Sequence, residues 1–207
     1  MAVRKGIYGW GLVLVVALVL IAFGLLWKPA PVDHDPGHRT LPLTTAPQGG
    51  DFVLTRDGRS FDLADHRGQV VLLYFGYTYC PDVCPTSMAM IRQALRQLDA
   101  EQLERVQAVF VSIDPERDTP EQLADYARFF HASILGVTGS EEELAEAGRL
   151  YGAAWRWADT GSAMGYAVDH SSNTYVIGMD GRLVETLPHG TGPQRILETV
   201  LRLLDED

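Results

Sequence analysis

An α/β fold with a mixed central sheet is the architecture this 207-residue chain predicts. Three observations point to it. Residues 69–75 and 106–113 are short apolar runs without alternation, as expected of strands buried on both faces. Each run is followed by a segment with helix-type spacing or helix-capping residues. Two further strand-like runs around Asp180-Gly181 and a last amphipathic helix then close the chain.

From Gly6 to Trp27 no residue is charged, and Leu, Val and Ile dominate. At about 1.5 Å per residue this run is long enough to cross a bilayer core of about 30 Å, which predicts one N-terminal transmembrane helix. Arg4 and Lys5 precede it while Asp33 and Asp35 follow Lys28, so the positive-inside rule leaves the N-terminus in the cytoplasm. Everything after Lys28 is then expected on the periplasmic side of the inner membrane. A cleaved signal peptide is the rival; the run exceeds a usual h-region, and Lys28-Pro29-Ala30-Pro31 is a poor cleavage site. Residues 1–28 are thus read as a membrane anchor. Residues 29–50 hold five of the 11 prolines and little periodicity, and read as an extended linker. Residues 51–207 are ample for one domain with its own core.

Within that domain, Phe52-Val53-Leu54 and Ser60-Phe61 flank Asp57-Gly58, a dipeptide that favours a tight hairpin turn. The apolar strand at 69–75 delivers the chain to Cys80, and Met88, Ile91, Leu95 and Leu98 form one helical stripe beyond it. After the second strand, Thr119-Pro120-Glu121-Gln122 combines an N-cap, a first-turn proline and a capping-box Gln, predicting a helix to Phe130. Ser140 with Glu143 repeats that logic for a helix to Tyr151. Residues 158–168, with two glycines and one Met, read as a mobile loop. Trp155 and Trp157 fall on alternating positions of a strand edge. Residues 173–179 and 182–187 read as antiparallel strands, and Pro193 to Leu204 as the terminal helix. This order is thioredoxin-like, with the loop after the first central strand as its reactive segment.

That loop holds the only two cysteines, in Tyr79-Cys80-Pro81-Asp82-Val83-Cys84-Pro85. Thiolates select Cu(I), zinc or disulfide exchange over hard-metal chemistry. A helix starting near Cys84 would turn both sulfurs towards unpaired N–H groups and the positive end of the helix dipole, favouring thiolates. Three intervening residues widen the bite of the usual redox pair without forbidding a disulfide. A purely structural bridge is the competing reading, although so short a loop gains little from closure.

Among six histidines, His170 in Val168-Asp169-His170-Ser171 stands just before a strand that starts beside the reactive loop in a thioredoxin-like fold. Disulfide oxidoreductases of this plan carry a cis-proline near that point; here it is a histidine. Two thiolates and an imidazole suit trigonal Cu(I), or Cu(II) with a further oxygen ligand, whereas zinc would want a fourth ligand. His34 and His38 with Asp33 and Asp35 could form a weak patch on the linker, and Met164 an additional thioether. His66, His131 and His189 have no clustered ligand partners in sequence. Asp169 is a candidate acceptor to orient His170, Arg117 a partner for a local carboxylate, and Asp82 an exposed loop carboxylate.

Four blocks taken together resemble the Sco/SenC family: GYTYCPDVCP from Gly76 to Pro85, SIDPERDTP from Ser112 to Pro120, LGVTG from Leu135 to Gly139, and VDHS from Val168 to Ser171. The resemblance implies a membrane-anchored, thioredoxin-like copper-binding assembly factor that helps metallate the binuclear copper centre of cytochrome c oxidase subunit II. It carries the metal ligands over to Cys80, Cys84 and His170. It also implies a copper-donating chaperone and a thiol reductant as further partners. A thiol-disulfide reductase using Cys80 and Cys84 as its redox pair, on subunit II or another exported protein, is the alternative. A peroxidase-like reading lacks a supporting polar constellation. The net charge of −10, with all 27 acidic residues beyond the apolar run, argues against nucleic acid.

Overall fold

The structure, a computed structural model, describes residues 47–162 and 165–206, together with Ala17, Leu20, Ala22 and Phe23. It divides into two compact units, Met1–Pro42 and Leu43–Asp207. In the first, the four described residues are helical. The expected span at 6–27 otherwise lies outside the described residues, as do the linker up to residue 46, His34, His38 and Met164. Among the described residues no helix is long and apolar enough to cross a membrane.

The second unit is built on a five-stranded sheet in the order β5-β4-β3-β8-β9. Strand β3 (Val70–Gly76) has all seven residues buried. It runs parallel to β4 (Val106–Ser112), with Val70 opposite Val106 and Gly76 opposite Ser112. Burial on both faces explains why both sequences are nearly continuous apolar runs, broken in β4 only by Gln107 and Ser112. Truncating one of these side chains, for instance Leu73→Ala, would cost about 2–5 kcal/mol by leaving a cavity. Strand β5 (Ile134–Val137) adds to β4 in parallel, while β8 (Thr174–Ile177) and β9 (Leu183–Leu187) continue antiparallel from β3, so the sheet is mixed as predicted. Ahead of it, β1 (Val53–Arg56) and β2 (Arg59–Asp62) form the predicted hairpin. Asp57 and Gly58 have φ of 48° and 73°, the positive angles a type I′ turn demands.

Helix α1 (Val83–Leu95) buries Cys84, Ser87, Met88, Ile91, Ala94 and Leu95 on one stripe and packs against the terminal helix α5 (Pro193–Asp205). Between them in the chain come α2 (Ala100–Glu104), α3 (Pro120–Phe130) and α4 (Glu141–Tyr151). The predicted capping boxes of α3 and α4 are both formed, Thr119 with Gln122 and Ser140 with Glu143. Short α2 has its own box, Asp99 with Gln102, and with β5 it was not anticipated; five and four residues are too few for a clear period.

One expectation is overturned. Residues 158–162 and 165–168 are not a loop: they belong to a two-stranded hairpin of β6 (Trp155–Ser162) and β7 (Gly165–His170), paired Trp155 with His170 through Asp159 with Tyr166. Its glycines serve the turn region, where Gly161 and Gly165 adopt φ of 59° and 77°. The hairpin forms its own small sheet, and Trp155 stacks on Phe75 at 6.3 Å. Trp157, two positions on, is exposed.

Candidate metal centre

The centre is assembled from three separate pieces of chain. Strand β3 ends at Gly76, a turn carries Cys80, and the first turn of α1 carries Cys84. Gly76 is required where it stands: an added Cβ would lie 2.8 Å from Cys84 Sγ and 3.0 Å from the Tyr74 ring. The end of β7 supplies His170. One potential ligand atom from each of Cys80, Cys84 and His170 lies within 4.8 Å of the others, and both thiols are free. Among the described residues this is the one such group of three.

Burial grades the pair. Cys84 is fully buried and Cys80 is 8% exposed, so Cys80 is the sulfur nearer solvent. The backbone N–H of Cys84 points at Cys80 Sγ from 3.5 Å. The Cys80 thiol is pulled down to about 3, chiefly by hydrogen bonding from Cys84, with His170 and the N–H groups of Asp82 and Cys84 adding to it against burial. Cys84 is held well above the ordinary thiol range by the same bond, by burial, and by the Cys80 charge beside it. Its sulfur also lies 3.2 Å from His170 Nε2. The contact between the two sulfurs sets the order: Cys80 ionises first and Cys84 keeps its proton.

His170 is oriented by a backbone group. Its Nδ1 lies 3.0 Å from the Ser171 carbonyl oxygen, which can only accept, so in the neutral ring Nδ1 carries the hydrogen. The lone pair of Nε2 then faces Cys84, the arrangement a metal-binding imidazole needs. The ring sits edge-on between Tyr74 and Tyr77, with centroids at 6.2 and 5.9 Å. Val168 donates its N–H to the Tyr77 hydroxyl at 3.3 Å, tying the hairpin to the cysteine turn.

Asp169 does not orient His170. Side chains alternate along β7, so Tyr166, Val168 and His170 share one face while Asp169 points the other way and pairs with exposed Arg156 at 3.1 Å. Arg117 does pair with a local carboxylate, Asp114, at 2.5 Å. Asp82 is exposed, as expected. His189 lies 3.1 Å from Ser87 Oγ, His66 stacks on Phe61, and His131 bonds to Ser133, so none of them joins the centre. The sequence reading missed the aromatic notch of Tyr74 and Tyr77 and the Ser171 carbonyl. Tyr77 was reachable from its place three residues before Cys80; a backbone carbonyl leaves no residue signal.

The donor set fits a soft metal: two sulfurs and one imidazole nitrogen, with no carboxylate in the group. Comparison with known proteins bears on the same residues. A family model described as SCO1/SenC matches residues 42–205. The chain is similar to the mitochondrial SCO2 homolog of Bos taurus, at 39% identity over 195 residues that span 91% of this chain and 73% of the bovine protein. Among solved structures, Bradyrhizobium japonicum ScoI with copper bound matches with a TM-score of 0.68 and 33% identity, over 75% of this chain and 98% of that one. BsSco, a member of the Sco family of cytochrome c oxidase assembly proteins in which a disulfide switch is identified, matches with a TM-score of 0.63 and 25% identity, over 78% of this chain and 96% of that one. With its mixed sheet, its clustered Cys80, Cys84 and His170, and a match across nearly all of the folded unit, this chain belongs to the SCO1/SenC family.

Proposed function

We propose that this chain is a membrane-anchored copper chaperone. It binds copper through Cys80, Cys84 and His170 and passes it on during assembly of cytochrome c oxidase, to the binuclear centre of subunit II. The observation that supports this most directly is the convergence of the three ligand atoms within 4.8 Å. Two thiolates and an imidazole favour Cu(I) in a trigonal site, and Cu(II) would call for an added oxygen ligand. The copper-bound ScoI structure and the assembly role of the family to which BsSco belongs are consistent with it. Residues 1–28 act as the anchor, residues 29–50 as the tether, and residues 51–207 carry the site on the periplasmic side of the inner membrane. Cys80, nearer solvent, is the sulfur an incoming or outgoing ligand meets first.

A second reading, thiol-disulfide exchange, is favoured by the ionisation order. A Cys80 thiolate would attack a target disulfide, forming a mixed disulfide and expelling one target thiolate. Cys84, once deprotonated, would attack Cys80, releasing the second target thiolate and leaving a Cys80–Cys84 disulfide. Copper binding needs the reduced pair, since a disulfide removes both thiolates.

Titration of the reduced full chain in detergent with Cu(I) against a competing chelator tests the copper reading. One equivalent bound tightly, and weakened in both His170→Ala and Cys84→Ser, is the expected result. Affinity indifferent to His170 would overturn the three-ligand site and leave thiol exchange as the better reading.

A further inference from the structure

The loop between β4 and α3, residues 113–119, touches both arms of the centre. Asp118 is only 1% exposed, and its contacts come from three donors. These are the Thr78 N–H at 2.9 Å, the Thr78 hydroxyl at 2.6 Å and the Ser112 hydroxyl at 2.6 Å. Thr78 stands two residues before Cys80, so Asp118 pins the cysteine turn to the end of β4.

The other arm is held by Asp114 and Arg117. Buried Asp114 accepts the Tyr166 hydroxyl at 2.8 Å on one oxygen and Arg117 Nε on the other. Arg117 Nη1 donates to the Tyr166 carbonyl at 2.9 Å, and the guanidinium carbon lies 3.7 Å from the centre of the Tyr166 ring. The same guanidinium lies 5.5 and 5.3 Å from the rings of Tyr77 and Tyr79, the neighbours of Thr78. Its Nη2 is buried and has no hydrogen-bond partner among the described residues. Arg117 therefore fills the space between the cysteine turn and Tyr166 of β7, four residues before His170.

An isolated two-stranded hairpin is marginal in water, and the β6–β7 pair forms a sheet of its own. Where its end sits over the cysteines depends on ties to the rest of the domain. We propose that Arg117 is a positioning residue for the metal site: held between the cysteine turn and the histidine hairpin, it sets the approach of His170 to Cys80 and Cys84 without touching the metal. The planar guanidinium suits this place, because it donates along two directions while stacking on aromatic faces, which an ammonium does not.

This inference rests on the copper reading, and its test separates the two. Cu(I) affinity of the reduced full chain is measured in a double-mutant cycle of Arg117→Ala and His170→Ala, with Tyr166→Phe as a gentler replacement in the same cycle. Positioning through His170 predicts that Arg117→Ala weakens binding about tenfold when His170 is present, within the range for residues coupled in one network. In the His170→Ala background it should change affinity by less than about twofold, because nothing remains to position. Tyr166→Phe should act in the same direction and less strongly, and it carries the cycle if Arg117→Ala does not fold. Arg117→Lys should rescue only in part. Equal weakening in both backgrounds, or none in either, would overturn the positioning role and reduce Arg117 to general support of the fold. Unchanged affinity in His170→Ala alone would overturn the three-ligand site, and the positioning role with it.

Discussion

His170 Nε2 lies 3.2 Å from Cys84 Sγ, although the two residues are 86 positions apart. The contact joins the end of a small hairpin to the first turn of a helix, and its direction is set by the Ser171 carbonyl on the other ring nitrogen.

Asp169 adjoins a ligand in sequence yet points away from it, so its removal should be felt little. Asp169→Ala is expected to leave Cu(I) affinity within about twofold, since orienting partners of ligands typically matter 10–100-fold. The exposed Arg156 pair it breaks should cost less than about 1 kcal/mol in stability. A chelator-competition titration and a urea unfolding curve check both; a tenfold loss of affinity would restore Asp169 as an orienting residue.

The two thiols titrate far apart. Cys80, pulled down to about 3, is a thiolate throughout the neutral range, whereas Cys84 keeps its proton there. Binding as a dithiolate must then expel about one proton per Cu(I), and apparent affinity should rise about tenfold per pH unit between pH 6 and 8. Competition titrations at three pH values, using a chelator whose own pH dependence is known, read this slope. A flat profile would mean that both thiols are already ionised, or that only one binds.

Gly76 is set against the buried sulfur. Gly76→Ala would push a methyl group to 2.8 Å from Cys84 Sγ, with Tyr74 and Phe110 at 3.0 and 3.1 Å. Overpacking of this kind should destabilise the domain by about 1–3 kcal/mol and displace the ligand. Chemical denaturation and Cu(I) affinity should therefore both suffer. Affinity preserved at wild-type level would show that the β3 terminus gives way without moving Cys84.

Ser140 provides a contrast, because it caps α4 through Glu143 and takes no part in the metal centre. Ser140→Ala should cost about 0.5–2 kcal/mol in stability and leave copper binding unchanged. If affinity fell with it, general stability would be limiting the site, and the effects of other variants would need correction for that.

Much of the architecture was legible in the residues. The nearly continuous apolar strands at 70–76 and 106–112 announced themselves because both faces are buried, and the two capping boxes of α3 and α4 placed helix starts to the residue. Cys80 and Cys84 were legible because they are the chain's only cysteines, four positions apart and astride a helix start. His170 could be chosen from six histidines only through the fold expected around it. Of the β6–β7 hairpin only the alternation of Trp155 and Trp157 was legible, and the rest was read as a loop: its strands pair with each other, bury little beyond Val168 among the described residues, and so show no strong apolar period.

By itself, then, the chain determined its secondary-structure order, its sheet and the chemical class of its ligands, because local propensity and burial pattern are written residue by residue. Only the tertiary structure decided which way each side chain near the centre points. A strand alternates its faces, so the register of β7 turns His170 inward to the thiols and Asp169 outward to Arg156. Arg117, Asp114 and Asp118 likewise acquire their place only when a loop from β4 meets two distant arms. Such contacts arise from packing between segments far apart in the chain, which no local pattern records.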